Sequence, residues 1–476
     1  MRKLLNLFVI FSLSVPSFGQ KITGNWEGKI VAGGTTIPIV FHFYSDSTGR
    51  ILGKWDSPSQ NALDLPCGEV RATGDSLVVL LPVISGSYSG NFAGADSITG
   101  EWDQKGIRMP LNLARQSGGG SYTLPKRPQT PHPPFPYISD SVVYRNSDST
   151  IRYGATFTRP KGQPGDQYPV VLMITGSGKQ DRDETIFDHH PFAVIADYLA
   201  RRGIAALRVD DRGMGQTTGD FDTSSSLDFA GDVEAGIRYL LSRSDVDPAH
   251  IGLLGHSEGG LIAPMVASGD PRVAFLVLLA APGIPGMDVI NFQNGVALKN
   301  AGLPDSVVQK FLVLHDALVN AAVSATGPGP FREQVPGIYQ SWKKDQSAGT
   351  LKDLIHGSDE SVIKNLQAKY YVFHSKWWRF FLFHDPSGDL EKLDIPVLAL
   401  NGSRDIQVDP QVNLDAIRAA LKKSRSKNYK TIELPGLNHL FQHCTTCTLD
   451  EYGKLEETIA PEVLRTVSDW ISSVVK

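Results

Sequence analysis

One segment, residues 251–265, constrains the fold of this chain more than any other. An apolar run of strand length is followed by Gly-His-Ser-Glu-Gly and then by a second apolar run with the composition of a helix. A G-x-S-x-G sequence between a strand and a helix predicts a tight elbow that exposes its serine at the strand end. Gly255 and Gly259 let neighbouring backbone segments approach closely. The pattern therefore predicts a nucleophilic Ser257, with His256 as part of the same elbow.

A serine hydroxyl is a weak nucleophile, so it needs a base and a group that orients the base. On a parallel sheet carrying such an elbow, the two partners follow the serine in the order acid, then histidine. Asp405 lies on the loop after the apolar run 397–400, and His439 lies on the loop after the run 429–434. Both are thus expected at the carboxyl ends of strands, as Ser257 is. We predict that Ser257, His439 and Asp405 form a catalytic triad.

Four other residues have weaker contexts for these roles. Asp409 is followed by a proline and a helical stretch, which is typical of a helix N-cap. Asp394 precedes its strand, and His443 is further along the exit loop. His256 adjoins the serine, but we expect its side chain to point away from the position of the base.

Two backbone N–H groups are needed to stabilise the oxyanion of an acyl-transfer reaction. One is expected from Glu258, the residue after the nucleophile. The other is expected from the loop 175–178, where Ser177 is the best candidate. This Gly-rich loop is not a phosphate-binding loop, because Lys179 is not followed by Ser or Thr.

From residue 138 onward, short apolar runs alternate with amphipathic stretches. Such runs suit strands buried on both faces of a parallel sheet, with helices packed on each face. Residues 138–476 are therefore predicted to form one doubly wound, mostly parallel α/β domain. Between about 283 and 393 the alternation is lost, which predicts a helical cap inserted over the carboxyl end of the sheet. The predicted strands include 170–174, 205–209, 251–254, 275–279, 397–400 and 429–434.

The preceding part of the chain has a different pattern. Residues 20–118 contain short runs of alternating hydrophobicity between turn signals, which predicts an all-β domain, either a barrel or a sandwich. The Gly24-Asn25-Trp26 sequence resembles the opening of calycin-like barrels, but we favour a module that binds nothing over a ligand carrier. Residues 119–137 are rich in Gly and then in Pro, as in a linker.

The first residues indicate export. Arg2 and Lys3 precede a short apolar run, and small residues lead to a predicted cleavage site between Gly19 and Gln20. The run is too short to span a bilayer, so residues 1–19 are interpreted as a signal peptide rather than an anchor. The mature protein is accordingly expected to be periplasmic or secreted, with no membrane span.

Composition excludes some classes of function. The 46 Lys and Arg residues are balanced by 50 Asp and Glu, so the chain lacks the basic surface of a nucleic-acid-binding protein. A zinc site would need further cysteines or histidines at ligand spacing from the three cysteines, and the sequence has none there. Neither a metal nor a cofactor is therefore predicted. Cys444 and Cys447 are interpreted as a local bridge or as two free thiols, rather than as a redox motif.

Taken together, these motifs resemble the α/β-hydrolase superfamily, and in particular EstD-like secreted or periplasmic bacterial esterases. The resemblance covers about 140–475, and it implies an α/β hydrolase fold with Ser257, Asp405 and His439 as the triad. One departure is Lys179, which stands where this group usually has proline. The sequences that carry the resemblance are ITGSGKQDRDE at 174–184, RVDDRG at 208–213, GHSEGGLIAP at 255–264, LALNG at 398–402 and LPGLNHLF at 434–441.

The function implied by this resemblance is hydrolysis of carboxylic esters with short to medium acyl or aromatic groups, through an acyl-enzyme on Ser257. The expected partner is a small-molecule ester. A serine peptidase, an aminopeptidase or an acyl-CoA thioesterase remains the alternative, and a non-catalytic binding protein is a weaker one. Six aromatic residues suggest an apolar cap surface for the acyl group, although packing between cap helices explains them equally well: Trp342, Trp377, Trp378, Phe380, Phe381 and Phe383.

Overall fold

The computed structural model describes residues 22–32, 35–46, 49–58, 62–104, 107–116 and 125–476. The chain forms two compact units, which divide between Pro125 and Lys126. The predicted signal peptide and the Gly-rich start of the predicted linker, residues 119–124, lie outside the described residues.

The first unit is a single antiparallel sheet that curls into a barrel-like shape. Its strands are β1 (Gly24–Ala32), β2 (Thr35–Ser45), β3 (Ile51–Ser57), β4 (Ala62–Pro66), β5 (Val70–Thr73), β6 (Ser76–Leu81), β7 (Gly86–Phe92), β8 (Ser97–Gln104), β9 (Ile107–Pro110) and β10 (Leu113–Arg115). The order is β4-β3-β2-β1-β10-β8-β7-β6-β5, and β9 pairs with β8. The two outer strands follow one another in the chain. Between them, the Cys67 N–H donates to Gly53 O and the Gly68 N–H donates to Leu80 O, which brings the sheet edges together.

Large side chains fill the interior of this barrel. In β2, Ile39, Phe41 and Phe43 are buried at every second position, which is the alternation read from the sequence. The Phe41 ring stacks on Phe43 and lies 5.5 Å from the ring of Tyr88. These side chains belong to one continuous core among the described strands of this unit. The same core includes Trp26, Trp55, Leu77, Val79, Ile98 and Trp102.

The second unit is built on one mixed sheet. Its strands are β11 (Ile138–Arg145), β12 (Arg152–Arg159), β13 (Tyr168–Ile174), β14 (Ala205–Val209), β15 (Val246–His256), β16 (Val273–Leu279), β17 (Val397–Gly402) and β18 (Tyr429–Leu434), in the order β11-β12-β14-β13-β15-β16-β17-β18. From β14 to β18 all neighbours are parallel, whereas β11 and β12 join antiparallel at one edge. The predicted doubly wound sheet is confirmed, and the antiparallel pair extends it.

Helices cover both faces of this sheet and form the cap. They are α1 (Pro191–Ala200), α2 (Ser226–Leu241), α3 (Glu258–Ala267), α4 (Gly286–Asn300), α5 (Asp305–Ser324), α6 (Pro328–Lys344), α7 (Ala348–Leu354), α8 (Asp359–Tyr370), α9 (Lys376–Phe383), α10 (Ser387–Leu390), α11 (Pro410–Lys423), α12 (Leu449–Tyr452) and α13 (Pro461–Val474). One core packs α2, α3 and α11 against alternate strand residues such as Leu172 and Leu253. The other packs α1 and α13 against the intervening residues, such as Val171 and Leu254. Burial on both faces explains why central strands such as β13 and β16 are largely apolar.

The cap consists of the helices α4–α9, which are inserted between β16 and β17. It has a core of its own, in which Leu318 and Val319 of α5 pack with Phe331 and Tyr339 of α6. By length and composition, α5 is the one helix among the described residues apolar enough to cross a membrane. Leu314, Leu318 and Val319 of this helix lie in the cap core, whereas Val313 is exposed.

Part of the predicted linker belongs to the second unit. The Arg127 guanidinium donates to the backbone carbonyls of Leu455, Phe187 and Gly453 at 2.6–2.9 Å. The Gln129 side chain donates to Ile459 O at 2.7 Å. The second unit thus begins before residue 138, and its first residues are held by the loop that precedes α13.

Candidate active site

Ser257 occupies a sharp turn between β15 and α3. Its backbone dihedral angles are φ 50° and ψ −117°, which is a strained conformation for a residue with a side chain. The Ser257 N–H donates to Leu279 O at 2.8 Å, so the turn is fastened to the neighbouring strand. Ser257 remains partly exposed while the residues on either side of it are buried. The turn therefore presents the hydroxyl at the carboxyl edge of the sheet.

The elbow depends on two glycines because of close backbone contacts. A Cβ atom on Gly255 would overlap the carbonyl of Gly259. A Cβ atom on Gly259 would overlap the carbonyl of Ile174 at the end of β13. Side chains at these positions would push α3 away from the sheet and displace Ser257.

Asp405 and His439 meet at the same edge of the sheet. The Asp405 carboxylate is fully buried, and its Oδ2 lies 2.7 Å from Nδ1 of His439. Its other oxygen accepts the N–H groups of Gln407 and Val408 at 2.7 and 3.0 Å. An ionised carboxylate only accepts, so Nδ1 of His439 carries the proton and Nε2 is left as an acceptor. Asp409, the alternative acid, instead caps α11 by accepting the Val412 N–H at 2.9 Å.

The two loops that carry Asp405 and His439 are bound to each other. The Arg404 N–H donates to Leu437 O at 2.9 Å, and a Cβ atom on Gly402 would overlap that same carbonyl. Asn438 then shapes the turn around His439, because its Oδ1 accepts the Leu440 and Gln442 N–H groups at 3.0 Å. The Asn438 side chain was not among the residues expected from the sequence. It is buried next to the histidine and fixes the loop geometry.

The loop after β13 lies against the elbow. Ser177 lines the same cavity as Ser257 and His439. Glu258 is the first residue of α3, so its N–H has no partner within the helix and is available to an anion. The positive end of the helix dipole favours negative charge at the same place.

A cavity of about 360 Å³ opens above Ser257. Its polar wall includes His439, His256 and Glu184, and its cap side includes Trp377 and Phe381. Trp342, in contrast, lies in the cap core, where its Nε1 donates to Lys310 O at 2.7 Å. The other apolar lining residues are Ile186, Phe187, Pro282, Val289, Ile290, Trp378, Val408, Leu440, Leu449 and Tyr452. Trp377, Trp378 and Phe381 thus line the cavity, Trp342 belongs to the cap core, and Phe383 is exposed.

His256 does not point away from the base, and that expectation is wrong. Its ring lies 4.9 Å from the ring of His439, and its Nε2 lies 3.1 Å from the backbone carbonyl oxygen of His439. Its Nδ1 lies 3.0 Å from Oε1 of Glu184, a buried residue with φ 53°. Both nitrogens of His256 thus face protein acceptors, which leaves His439 as the histidine with a free acceptor nitrogen.

The Glu258 side chain connects the elbow to the cap. Its Oε1 accepts the Ser226 hydroxyl at 2.6 Å and the Trp377 indole N–H at 2.7 Å. Burial raises the pKa of the Glu258 carboxyl, and hydrogen bonds from Ser226, Trp377 and Ser177 oppose that rise. The sequence pointed only to the backbone of Glu258, and nothing in it indicated that the side chain holds α9.

A second buried acid lies behind the loop 175–178. Burial raises the pKa of Asp211 to about 8, against hydrogen bonds that favour its charged form, and the charges of Glu258 and Glu184 add to the rise. The Asp211 carboxyl accepts the Gln180 N–H at 2.8 Å and contacts the Thr175 hydroxyl at 2.9 Å. Several acids thus share the space beneath the loop 175–178.

Cys444 and Cys447 form a disulfide on the exit loop of His439. The Glu451 carboxylate accepts the Thr445 and Cys447 N–H groups at 3.0 and 2.6 Å, and so holds the same short loop. Among the residues that the structure describes, no group of three or more His, Cys, Asp or Glu side chains comes together that could hold a metal ion.

The sheet, the strained serine elbow and the histidine–aspartate pair on the two following strand loops define an α/β hydrolase. The model of the S15 family, described as X-Pro dipeptidyl-peptidase, matches residues 148–422. The match covers more than half of the chain, and the chain belongs to this family.

Three known proteins are similar to this chain over more than half of its length. Esterase EstD of Thermotoga maritima is 25% identical over 310 residues, which cover 64% of this chain and 62% of EstD. The chain thus matches less than two thirds of the length of that relative. The ferulic-acid-bound Est1E structure from Butyrivibrio proteoclasticus has a TM-score of 0.38 at 16% identity, and covers 70% of this chain and 99% of that one. A Pyrococcus furiosus esterase structure has a TM-score of 0.42 at 13% identity, and the match covers 75% of this chain and 100% of that one.

Proposed function

We propose that this chain is a serine carboxylesterase that acts through an acyl-enzyme on Ser257. One observation carries the proposal: the buried Asp405–His439 pair, with 2.7 Å between Oδ2 and Nδ1, lies at a cavity that Ser257 also lines. Because Nδ1 donates to Asp405, Nε2 of His439 is the nitrogen that can accept the serine proton.

The reaction follows from these positions. Nε2 of His439 takes the proton of Ser257 as Oγ bonds to the ester carbonyl carbon. The N–H groups of Glu258 and Ser177 stabilise the resulting oxyanion. The ester C–O bond then breaks, and the alcohol leaves with the proton that His439 returns to it. A water molecule, deprotonated by His439, attacks the acyl-enzyme in the same way, which releases the acid and restores Ser257.

The cavity supports an uncharged acyl group of short to medium length or an aromatic one. Apolar and aromatic side chains dominate its lining, and Trp377 stacks on Phe381 with 5.0 Å between ring centroids. A flat or aliphatic acyl group gains from burial against such a surface. EstD, a relative of this chain at 25% identity, is also described as an esterase.

An aminopeptidase is the second candidate, because the family description names X-Pro dipeptidyl-peptidases. Such an enzyme needs carboxylates that can bind a free amino group. Among the described residues lining the cavity, Glu184 is the one carboxylate, and it already accepts the Gly176 N–H and faces His256. This arrangement favours an ester over an amino-terminal dipeptide.

Purified wild type and Ser257→Ala test the proposal. We expect wild type to hydrolyse p-nitrophenyl butyrate and to be labelled by a fluorophosphonate. Ser257→Ala should lose both, with kcat lower by at least about 10³-fold. Ser268→Ala, at the other end of α3, is the matched control. Ester hydrolysis retained by Ser257→Ala would refute the proposal.

The same preparation separates the rival substrates. An aminoacyl-prolyl p-nitroanilide tests the dipeptidyl-peptidase, and a butyryl-CoA thioester tests the thioesterase. A kcat/KM for either that exceeds the value for the ester would reassign the function. We further propose that the protein is exported, on the basis of residues 1–19. N-terminal sequencing of the protein from the periplasm or medium should begin at Gln20.

A further inference from the structure

A buried Glu–His pair lies directly behind the proposed nucleophile. Glu184 is 1% exposed and His256 is 5% exposed, with 3.0 Å between Oε1 and Nδ1. The same Glu184 oxygen accepts the N–H of Gly176 at 2.6 Å. On the other side, Nε2 of His256 lies 3.1 Å from the main-chain oxygen of His439. Four residues thus form one hydrogen-bonded chain from the loop after β13 to the loop after β18.

Building on the proposed esterase, we propose that Glu184 and His256 are positioning residues that hold the oxyanion loop and the loop of the catalytic histidine in register with Ser257. The pair touches neither Asp405 nor the Ser257 hydroxyl in its hydrogen bonds. It acts on the backbone at Gly176 and His439, which are the two places where the loops must stay still.

The atoms around His256 are consistent with a shared proton between it and Glu184. The carbonyl of His439 can only accept, so Nε2 of His256 must carry a hydrogen. Burial opposes a charge on His256, but Glu184, the hydrogen bond to His439 O and the charge of Asp405 outweigh it, so its pKa is raised. A charge-assisted hydrogen bond then ties Glu184 to His256 more strongly than a neutral one would.

The packing at Gly176 leaves little freedom for this region. A Cβ atom there would lie 3.2 Å from Glu184 Oε1 and 3.3 Å from Ser257 Cβ. Glu184 itself has φ 53°, and its N–H donates to Asp181 O at 3.0 Å, so a tight turn delivers its carboxyl to this point. Strained residues that the surroundings hold in place are typical of functional sites.

Four variants each remove a different part of this series of hydrogen bonds. Glu184→Gln keeps an oxygen acceptor and removes the charge, and Glu184→Ala removes both. His256→Asn keeps a group near Nδ1 and loses the contact to His439 O, whereas His256→Gln keeps a donor near Nε2 and loses the contact to Glu184. His250→Gln is the matched control, because His250 pairs with Asp247 at 2.7 Å at the other end of β15.

The readout is kcat for p-nitrophenyl butyrate per active site, with sites counted by fluorophosphonate titration. We expect Glu184→Ala and His256→Asn to lose about 10- to 100-fold in kcat per site, with KM changed less than about threefold, since small displacements of catalytic groups are costly. In Glu184→Gln and His256→Gln the loss of kcat per site should be smaller, and in His250→Gln kcat should equal that of wild type.

A role limited to folding would lower the number of titratable sites and leave turnover per site intact. That result, or wild-type labelling rates in both Glu184→Gln and His256→Asn, would overturn the proposal. The outcome is distinct from a failure of the esterase assignment, in which wild type itself would be neither labelled nor active. If Glu184→Ala does not fold, Glu184→Gln and His256→Gln still give the two required comparisons.

Discussion

The indole Nε1 of Trp377 donates a hydrogen bond to Oε1 of Glu258 at 2.7 Å, which ties a cap helix to the residue directly after the proposed nucleophile. A second tie runs in parallel, because Lys376 forms an ion pair with Asp228 of α2 at 2.6 Å. The wall of the cavity and the elbow beneath it are thus held at a defined separation. The length of acyl group that fits is expected to depend on this contact.

Trp377→Ala should shift the preference toward longer acyl chains. Removing the indole enlarges the cavity and frees α9, so the ratio of kcat/KM for p-nitrophenyl octanoate over butyrate should rise about tenfold. Trp377→Phe keeps a ring in the wall but loses the hydrogen bond to Glu258, so its ratio should lie between those of wild type and Trp377→Ala. Phe383→Ala on the same helix is the control, because Phe383 is 51% exposed. An unchanged ratio in Trp377→Ala would show that other residues limit the chain length.

Asp405→Asn should lower kcat by about 10³- to 10⁴-fold with little change in KM. The amide no longer favours the tautomer of His439 in which Nδ1 carries the proton, so Nε2 loses its capacity to accept. Asp409→Asn is the matched control, because asparagine also caps helices well. Steady-state kinetics with p-nitrophenyl butyrate decide the matter. A larger loss in Asp409→Asn than in Asp405→Asn would reverse the assignment of the acid.

Asp211→Asn should reduce the loss of stability that occurs as the pH rises toward about 8. The folded-state pKa of about 8 lies above the ordinary value of 3.8, so between these values the folded state retains a proton that the unfolded state releases. Stability is therefore lost as the pH rises through this window, by up to about 1.4 kcal/mol per pH unit. Asparagine does not titrate and can donate to Thr175 while accepting from Gln180.

Melting temperatures at pH 5 and pH 8 test this expectation. Wild type should lose several degrees more than Asp211→Asn between the two pH values, since about 1 kcal/mol corresponds to roughly 1–2 °C in a unit as long as residues 126–476. The exposed Asp222→Asn should behave as wild type. Equal losses in wild type and Asp211→Asn would mean that Asp211 is already ionised in the folded protein at neutral pH.

Replacing both Cys444 and Cys447 with serine should cost about 2 kcal/mol of stability or less, because the bridge closes a very short loop. Activity should be unchanged, since Glu451 holds the same backbone by separate hydrogen bonds. Cys67 should not exchange with the bridge, because burial raises its pKa to about 12 and keeps it as an unreactive thiol. Thermal melting and ester turnover, each with and without reductant, provide the check. A drop in kcat when the disulfide is reduced would show that the bridge helps to position His439.

The parts of the second unit that the sequence predicted are those with a local signal. Ser257 and Asp405 follow short apolar runs, and His439 follows the strand-length stretch 429–434, in which apolar and polar residues are mixed. The ends of parallel strands meet at one edge of a sheet, which brings the three residues together. Glu184 and Trp377 have no such signal. Glu184 is 72 residues from His256, and Trp377 is 119 residues from Glu258, so only the folded chain brings them together.

Strands without an apolar run were also missed. β11 is exposed along most of its length at the edge of the sheet, and β5 and β10 are short, so none of them has a strong hydrophobic pattern. Their strand structure depends on pairing with β12, β6 and β8 respectively. The position of His256 was misjudged for a related reason, because its direction is determined by Glu184 and the His439 carbonyl, both distant in sequence.

The entire cap lies within one connection, since the chain leaves the sheet after β16 and returns to it only at β17. Ser257 precedes this connection, and Asp405 and His439 follow it. Insertions, deletions or the exchange of whole helices there would leave the strand order unchanged. On the proposed function, a change of cap would therefore remake the wall that faces the acyl group while Ser257, Asp405 and His439 keep their places on the sheet.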